Sequence, residues 1–329
     1  MNNLENESLY MERYRILRKI GEGGSSLVYM GFDMDTEKPV TIKVLKENAL
    51  ADRDVTAAVA AETALLRRLH HPAIPGVVDV YEDAFVLEHV PGNSLEKIIR
   101  EKGVLQEKEA VRIGLELLEV LEYLHGLKSP VIYRDLKPAN IIVRPDGHIS
   151  LIDFGAAREY CPGDVADTVN LGTCGFAAPE QYGSLGQTDV RTDIYCFGRT
   201  MLQITGGKCC PELMAILEKC IRPDRDDRFG GCREIERALR DYPGKAAARR
   251  LVRNLKVAAV AAVLALVVAV AVTHYDAVKS YAAEDAEQRL PAVQQRLGYA
   301  GLRIKTALEE KGFDELTVTL PGLRIDSDK

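Results

Sequence analysis

The chain is 329 residues long, 47% hydrophobic, with a net charge of −6, enough to bury a full core in one large or two ordinary domains. Residues 1–244 carry 39 acids against 30 bases, whereas 245–256 hold five basic residues and no acid; this argues against nucleic-acid binding by the main domain. All seven cysteines precede residue 245 without CxxC spacing, so they read as reduced cytosolic thiols, and neither a metal cluster nor a disulfide framework is expected.

Residues 1–13 are polar and lack the apolar stretch of a signal peptide, which makes them a short flexible leader. From Tyr14 a predicted strand runs into Gly21-Glu-Gly-Gly-Ser-Ser26 and leaves through Leu27-Val28-Tyr29. Glycines let such a turn approach phosphate oxygens and present backbone N–H groups to them, although a glycine turn between strands is more often only a hairpin. Val40-Thr-Ile-Lys43 then sets one lysine in a strand. A helix predicted over 57–69, with Leu65, Leu66 and Leu69 as its apolar stripe, carries Glu62, whose carboxylate would hold Lys43 by an ion pair. Phe85-Val-Leu-Glu88-His-Val90 reads as a further strand running into Pro91-Gly92. Val131-Ile-Tyr-Arg-Asp-Leu-Lys-Pro-Ala-Asn140, followed by Asp153-Phe-Gly, places an acid, a cation and two metal-ligand types at the spacing that phosphoryl transfer requires.

Towards the C-terminus, Val257–Thr273 is a run of seventeen Val, Ala, Leu and Thr residues with no charge. At about 1.5 Å per residue it covers roughly 26 Å, close to the hydrocarbon thickness of a bilayer. It is apolar on every face, which favours a membrane span over a buried core helix. Arg249, Arg250, Arg253 and Lys256 crowd its N-terminal side, so the positive-inside tendency puts residues 1–256 in the cytoplasm and the tail outside. The tail, 274–329, offers two charged helix-like stretches (282–296 and 302–310) and a short alternating run at 316–320, with no ligand motif.

The order of glycine-rich hairpin, strand lysine, helix glutamate, Arg-Asp-x-Lys-x-x-Asn, Asp-Phe-Gly and Ala178-Pro-Glu180 resembles the protein kinases, specifically the bacterial transmembrane serine/threonine kinases of the eukaryotic-like type. The resemblance covers about residues 14–242, and Gly172–Gly183 is its most specific stretch. It implies an α+β, bilobal fold with a β-rich N-lobe and a helical C-lobe (14–242). A basic juxtamembrane linker (243–256), a single transmembrane helix (257–273) and a small extracytoplasmic region (274–329) would follow. It also implies ATP as phosphoryl donor, with Mg²⁺, or Mn²⁺ in its place.

By the same resemblance Asp135 is the catalytic base, Lys137 stabilises the γ-phosphate, and Asn140 and Asp153 bind the metal. Ile20, Gly21 and Gly23 cover the nucleotide, and Lys43, held in place by Glu62, reaches its α- and β-phosphates. Glu88 to Val90 form the adenine hinge with Leu87 behind the pocket, and Val28 and Ile142 sandwich the base. Lys137 and Thr173 point to serine or threonine hydroxyls of proteins as acceptors, and Thr168 is the candidate regulatory phosphosite. Glu180 should pair with Arg228, and Asp193 should brace the catalytic loop.

The pattern departs from the family in places. Ser26 stands where a third loop glycine is usual, Thr41 replaces an alanine, and Tyr133 replaces a histidine, where its ring should pack on Phe154. The segment between Gly206 and Pro223 is short, which puts protein-substrate docking in doubt. The main reading is therefore a membrane-anchored serine/threonine kinase that autophosphorylates and acts in bacterial signalling, with homodimerisation through the span served only by generic small-residue packing. The alternatives are a kinase-like nucleotide-binding scaffold and a small-molecule kinase on the same fold.

Overall fold

Strand periodicity organises the N-terminal part of the chain. In the computed structural model, which describes residues 7–160, 173–182 and 187–282 with Arg296 and Gly298, the order is β1 (Leu9–Tyr10), β2 (Tyr14–Glu22), β3 (Ser26–Asp33), β4 (Lys38–Leu45), α1 (Glu47–Leu50), α2 (Arg53–Leu66), β5 (Val77–Val80) and β6 (Ala84–Glu88). The strands form one antiparallel sheet in the order β1-β2-β3-β4-β6-β5. Val40, Ile42 and Val44 of β4 are buried with Tyr14, Ile16, Tyr29 and Val86. The period of two sends Thr41 and Lys43 to the opposite face.

Helix α2 starts earlier than the expected Ala57 because the Asp52 side chain accepts the backbone N–H of Asp54 at 2.9 Å and caps it. It also stops before Leu69. Arg68 and Leu69 donate to Leu65 and Leu66 in tightened turns, and His71 precedes Pro72, which disfavours helical backbone. Leu69 remains in the core.

The second lobe contains β7 (Asn93–Ser94), α3 (Leu95–Lys102), α4 (Glu107–His125), β8 (Val131–Ile132), β9 (Ile141–Val143), β10 (Ile149–Leu151), β11 (Arg158–Glu159), α5 (Val190–Thr205), α6 (Pro211–Cys220) and α7 (Cys232–Ala282). Two small antiparallel sheets, β10-β9-β7 and β11-β8, pack against α3, α4 and α5. Leu117, Leu121 and Leu124 of α4 meet Phe197 and Met201 of α5 and Leu213 and Leu217 of α6 in one core. Apolar burial on this scale is the main driving force for folding.

Asp189 caps α5 by accepting from Arg191 N at 2.8 Å. Gly206 (φ +59°) and Gly207 (φ +68°) end it in the left-handed region, with Gly207 N–H bonded to Leu202 O at 3.0 Å. Such a turn closes a helix at once, and Pro211 opens α6 at a position where its missing N–H costs nothing. The connection is as short as the sequence indicates.

Residues 1–249 and 250–329 form separate compact units. The stretch 243–256, expected as a linker, is helical and lies within α7, with Pro243 inside the helix. Part of α7 forms the one helix among the described residues long and apolar enough to cross a membrane, with a mean hydropathy of 2.8 and none of its apolar window buried. The tail beyond 282, apart from Arg296 and Gly298, lies outside the described residues, as do the helix-like and alternating stretches expected there and the candidate phosphosite Thr168.

Candidate active site

The residues expected to form the catalytic loop follow β8, where the backbone makes an unusual turn. Arg134 has φ +67°, a left-handed conformation that costs a non-glycine residue about 1–3 kcal/mol. Asp193 on α5 holds it. The fully buried Asp193 carboxylate accepts Tyr133 N at 2.8 Å and Arg134 N at 2.7 Å. Tyr133 packs edge-on against Phe154 with ring centroids 5.1 Å apart, as its position implied, and its hydroxyl donates to Ile152 O at 2.6 Å.

Asp135, the next residue, receives three donors. Lys137 Nζ reaches Oδ2 at 2.7 Å, Asn140 Nδ2 reaches the same oxygen at 2.9 Å, and the Thr173 hydroxyl donates to Oδ1 at 2.7 Å. Lys137 also donates to Thr173 Oγ1 at 2.6 Å. The carboxylate is thereby fixed in one orientation, with charge-assisted bonds as the stronger contributors. Asn140 ends a 3-10 turn, Pro138–Asn140, that Pro138 starts.

Across the cleft, Lys43 Nζ lies 3.2 and 3.3 Å from the two oxygens of Glu62 and 3.2 Å from Asp153 Oδ1. The Lys43 side chain is 19% exposed, Glu62 5% and Asp153 49%. Burial works against the lysine's charge, but Glu62 and Asp153 outweigh it and hold the ammonium above its ordinary range. Burial pushes the Glu62 carboxyl up while Lys43 pulls against it. Asp153 also feels burial, which Lys43 more than offsets, so it lies below the usual carboxylate range. Two acids share one buried cation.

In the hairpin, Gly21 pairs with Val28 across β2 and β3, and Gly23 N–H closes the turn on Ser26 O at 2.8 Å. Lys46 donates to Glu22 and to Gly23 O, both at 2.8 Å, which pins the hairpin to the end of β4. Hydrogen bonds from Lys19 and then Lys46 lower the exposed Glu22 carboxyl to about 2. Ile20 is partly exposed and Val28, opposite Lys43 in the sheet, is half-buried. Thr41 pairs with Leu87, and its hydroxyl sits 3.0 Å from His89 Nδ1. Glu88 is held to Gly76 through both its backbone N–H (2.9 Å) and its side chain (3.1 Å). Val90 follows half-buried, and Ile142 lies on β9 opposite Ser94.

Gly92 is a residue the motif reading passed over except as a turn. Its φ is +131°, and a Cβ there would lie 2.1 Å from Val143 O and 3.0 Å from Ile142 Cγ2. The Pro91-Gly92 dipeptide was the available signal. We predict that Gly92→Ala lowers stability by about 2 kcal/mol through overpacking and backbone strain. Unchanged thermal unfolding of that variant would contradict this.

The structure brings Glu180 and Arg228 together as a pair. Arg228 Nη1 and Nη2 reach Glu180 at 2.7 and 2.9 Å, and Thr192 adds a bond to Glu180 at 2.8 Å. Burial raises the Glu180 carboxyl, but the bonds led by Arg228 prevail and hold it below the usual range. Gln181, missed in the sequence, donates to Arg134 O at 2.9 Å from the residue after the Ala-Pro-Glu motif.

A divalent cation would find oxygen donors here. Asn140 commits its amide nitrogen to Asp135 O and Oδ2, which leaves its oxygen as the ligand atom, and Asp153 supplies a carboxylate at the cleft. Among the described residues no cluster of three or more His, Cys, Asp or Glu could hold a metal alone. Two hard oxygen donors suit an ion that takes its remaining ligands from phosphates and water. The residues fit a hard divalent cation such as Mg²⁺ or Mn²⁺.

A curled antiparallel sheet over a helical lobe, with charged groups of both lobes meeting at the cleft, defines a two-lobed phosphotransferase-type fold. The chain belongs to the protein kinase domain family, whose model matches residues 14–213. It is similar to a probable serine/threonine-protein kinase of Clostridium perfringens, 34% identical over 200 residues that cover 59% of this chain and 29% of the relative. It is similar also to the probable serine/threonine-protein kinase PknB of Lactococcus lactis (32% identical, 61% of this chain and 32% of the relative) and to the serine/threonine-protein kinase PknL of Mycobacterium tuberculosis (30%, 61% and 51%). The chain thus spans about a third to a half of the length of these relatives.

Proposed function

We propose that the chain is a membrane-anchored serine/threonine protein kinase, with residues 14–242 as its catalytic domain. The observation that carries this is the Asp135 carboxylate held by Lys137, Asn140 and Thr173 across the cleft from the Lys43–Glu62 pair. An acceptor hydroxyl placed at Asp135 would pass its proton to that carboxylate as its oxygen bonds the γ-phosphorus and ADP leaves. Lys137 would stabilise charge on the transferring group, and Lys43, fixed by Glu62, the other phosphates. Bound through Asn140 and Asp153, Mg²⁺ would neutralise phosphate charge. Ile20, Gly21 and Gly23 would cover the phosphates. Val28, Leu87, Val90 and Ile142 would enclose the adenine, with the backbone of Glu88 to Val90 as hinge.

Serine or threonine as acceptor is supported by the Lys137–Thr173 contact and by the names of the relatives. The scaffold alternative is not favoured, because no group that phosphoryl transfer requires is missing. The test is transfer from [γ-³²P]ATP to protein acceptors by the full chain in detergent micelles. Phosphoserine and phosphothreonine are expected, autophosphorylation included, and Lys43→Ala should raise the KM for ATP and cut transfer about 100-fold or more. Nucleotide binding without turnover by the wild-type chain would overturn the enzyme reading.

The exposed apolar stretch of α7 supports a single span over 257–273, with the basic residues 245–256 on the cytoplasmic side and 274–329 outside. Homodimers through the span, Thr168 as a regulatory phosphosite and a role in bacterial signalling belong to the same proposal. Protease added to intact cells should remove the tail and spare the kinase domain. Protection of the tail would reverse the topology.

A further inference from the structure

Asp193 has a third partner besides the two backbone N–H groups. His125, the last residue of α4, places Nε2 2.8 Å from Asp193 Oδ2, and its Nδ1 lies 3.6 Å from Sγ of Cys232, the first residue of α7. Exposure is 0% for the Asp193 side chain, 7% for that of His125 and 1% for Cys232. The three groups come from three helices and meet behind the loop that carries Asp135.

The proton positions follow from donor chemistry. A carboxylate only accepts, so His125 Nε2 carries the hydrogen towards Asp193. Burial pushes the Cys232 thiol up, so it keeps its proton, and that S–H is the donor available to the lone pair on Nδ1. Imidazole tautomers are set by the bond that the other nitrogen makes. We propose that Cys232 and His125 are positioning residues for the catalytic loop: the Cys232 thiol fixes the His125 tautomer whose Nε2–H locks the Asp193 carboxylate onto the backbone N–H groups of Tyr133 and Arg134.

The loop needs such a lock. Arg134 is held at φ +67°, and Asp135 is attached directly to it, with Asp135 N–H bonded back to Tyr133 O at 3.0 Å. Relaxation at Arg134 would swing the Asp135 side chain away from Lys137, Asn140 and Thr173. Oδ1 of Asp193 serves Arg134 and Oδ2 serves Tyr133, so a carboxylate free to rotate would loosen both at once. The carbonyl of Arg134 has separate partners, Gln181 at 2.9 Å and the Cys196 thiol at 3.9 Å. They brace the far side of the same residue without touching His125. The chain also links the onset of the C-terminal helix to the loop, because Cys232 is where α7 begins.

The consequence for catalysis rests on the kinase reading, so two readouts that need no activity are paired with one that does. In the full chain in detergent micelles, ¹⁵N NMR of the imidazole should show His125 protonated on Nε2 and bare at Nδ1. Amide exchange of the peptide spanning Tyr133 and Arg134 should quicken about tenfold in His125→Phe and about threefold in Cys232→Val, as expected for losing one buried hydrogen bond. Cys232→Ser keeps a donor and should stay within about twofold of wild type. Transfer should track exchange: His125→Phe loses about tenfold in kcat while the KM for ATP stays within about twofold.

An Nδ1–H tautomer, wild-type exchange in His125→Phe, or identical behaviour of Cys232→Ser and Cys232→Val overturns the proposal. Should His125→Phe fail to fold, the wild-type tautomer and the Cys232 pair still decide. A wild-type chain that transfers no phosphate defeats the kinase reading alone, and the tautomer and exchange results then stand or fall by themselves.

Discussion

Replacing Asp135 by Asn is expected to cut phosphoryl transfer about 10³-fold while leaving the fold and nucleotide binding in place. The side chains around it decide why the fold survives. Lys137 and Asn140 both donate to Oδ2, and Thr173 donates to Oδ1. An asparagine can keep its carbonyl oxygen on the Lys137 and Asn140 side and turn its amide towards the Thr173 hydroxyl, which also accepts. What it cannot do is take the proton of an attacking hydroxyl. Transfer from [γ-³²P]ATP and calorimetric ATP binding on the same preparation separate the two effects. The expected result is near-normal affinity with transfer close to background. Undiminished transfer would remove Asp135 as the proton acceptor, and lost affinity with a cooperative melt would give it a role in holding nucleotide.

How much of this was legible beforehand depends on the range of the contact. Lys43 and Glu62 could be paired from sequence because a period of two aims Lys43 off the core face and a helical stripe orients Glu62, and the structure brings them to 3.2 Å. Asp193, Glu180 and Arg228 were legible only through resemblance, since no local pattern joins residues so far apart along the chain. Asp52 was a readable cap that the apolar stripe obscured, because periodicity begins only after the polar Arg53 and Asp54. Pro243-Gly244 punctuates the chain as a linker would, yet α7 continues through it. Gln181 stood in the motif stretch without a role of its own, and His125 and Cys232 carry no local signal at all. These two lie in ordinary sequence contexts and acquire their role when the ends of α4 and α7 come together behind one loop.

The largest loss of stability is expected from Arg228→Leu. The Arg228 side chain is fully buried, and its five N–H groups are all engaged: two with Glu180 at 2.7 and 2.9 Å, and one each with the carbonyls of Arg191 (2.9 Å), Arg222 (2.7 Å) and Pro223 (3.0 Å). Leucine fills much of the volume but strands the Glu180 carboxylate in a buried site, which costs about 3–5 kcal/mol. That is a large part of the 5–15 kcal/mol that typically holds a domain together. For a domain of this size it corresponds to a fall of roughly 10 °C or more in Tm.

Arg228→Lys should recover little of it, because an ammonium cannot span both carboxylate oxygens and three carbonyls. The pH dependence adds a signature. Glu180 sits below its ordinary pKa when folded, so the pair's contribution is present above the usual carboxylate range and is lost as pH falls through the lowered value. In Arg228→Leu the carboxyl has no cation, and burial, the largest influence on it, is opposed only by the Thr192 hydroxyl and a backbone N–H, so its folded pKa is expected to rise above the unfolded one. Protonation then relieves the variant, so the gap in Tm between wild type and variant should narrow on acidification from pH 7. Thermal unfolding of both chains across that range measures it. A variant that melts within a degree or two of wild type at neutral pH, or a gap that widens in acid, would show that the Glu180–Arg228 pair does not hold the Ala178-Pro-Glu180 turn to the helical lobe.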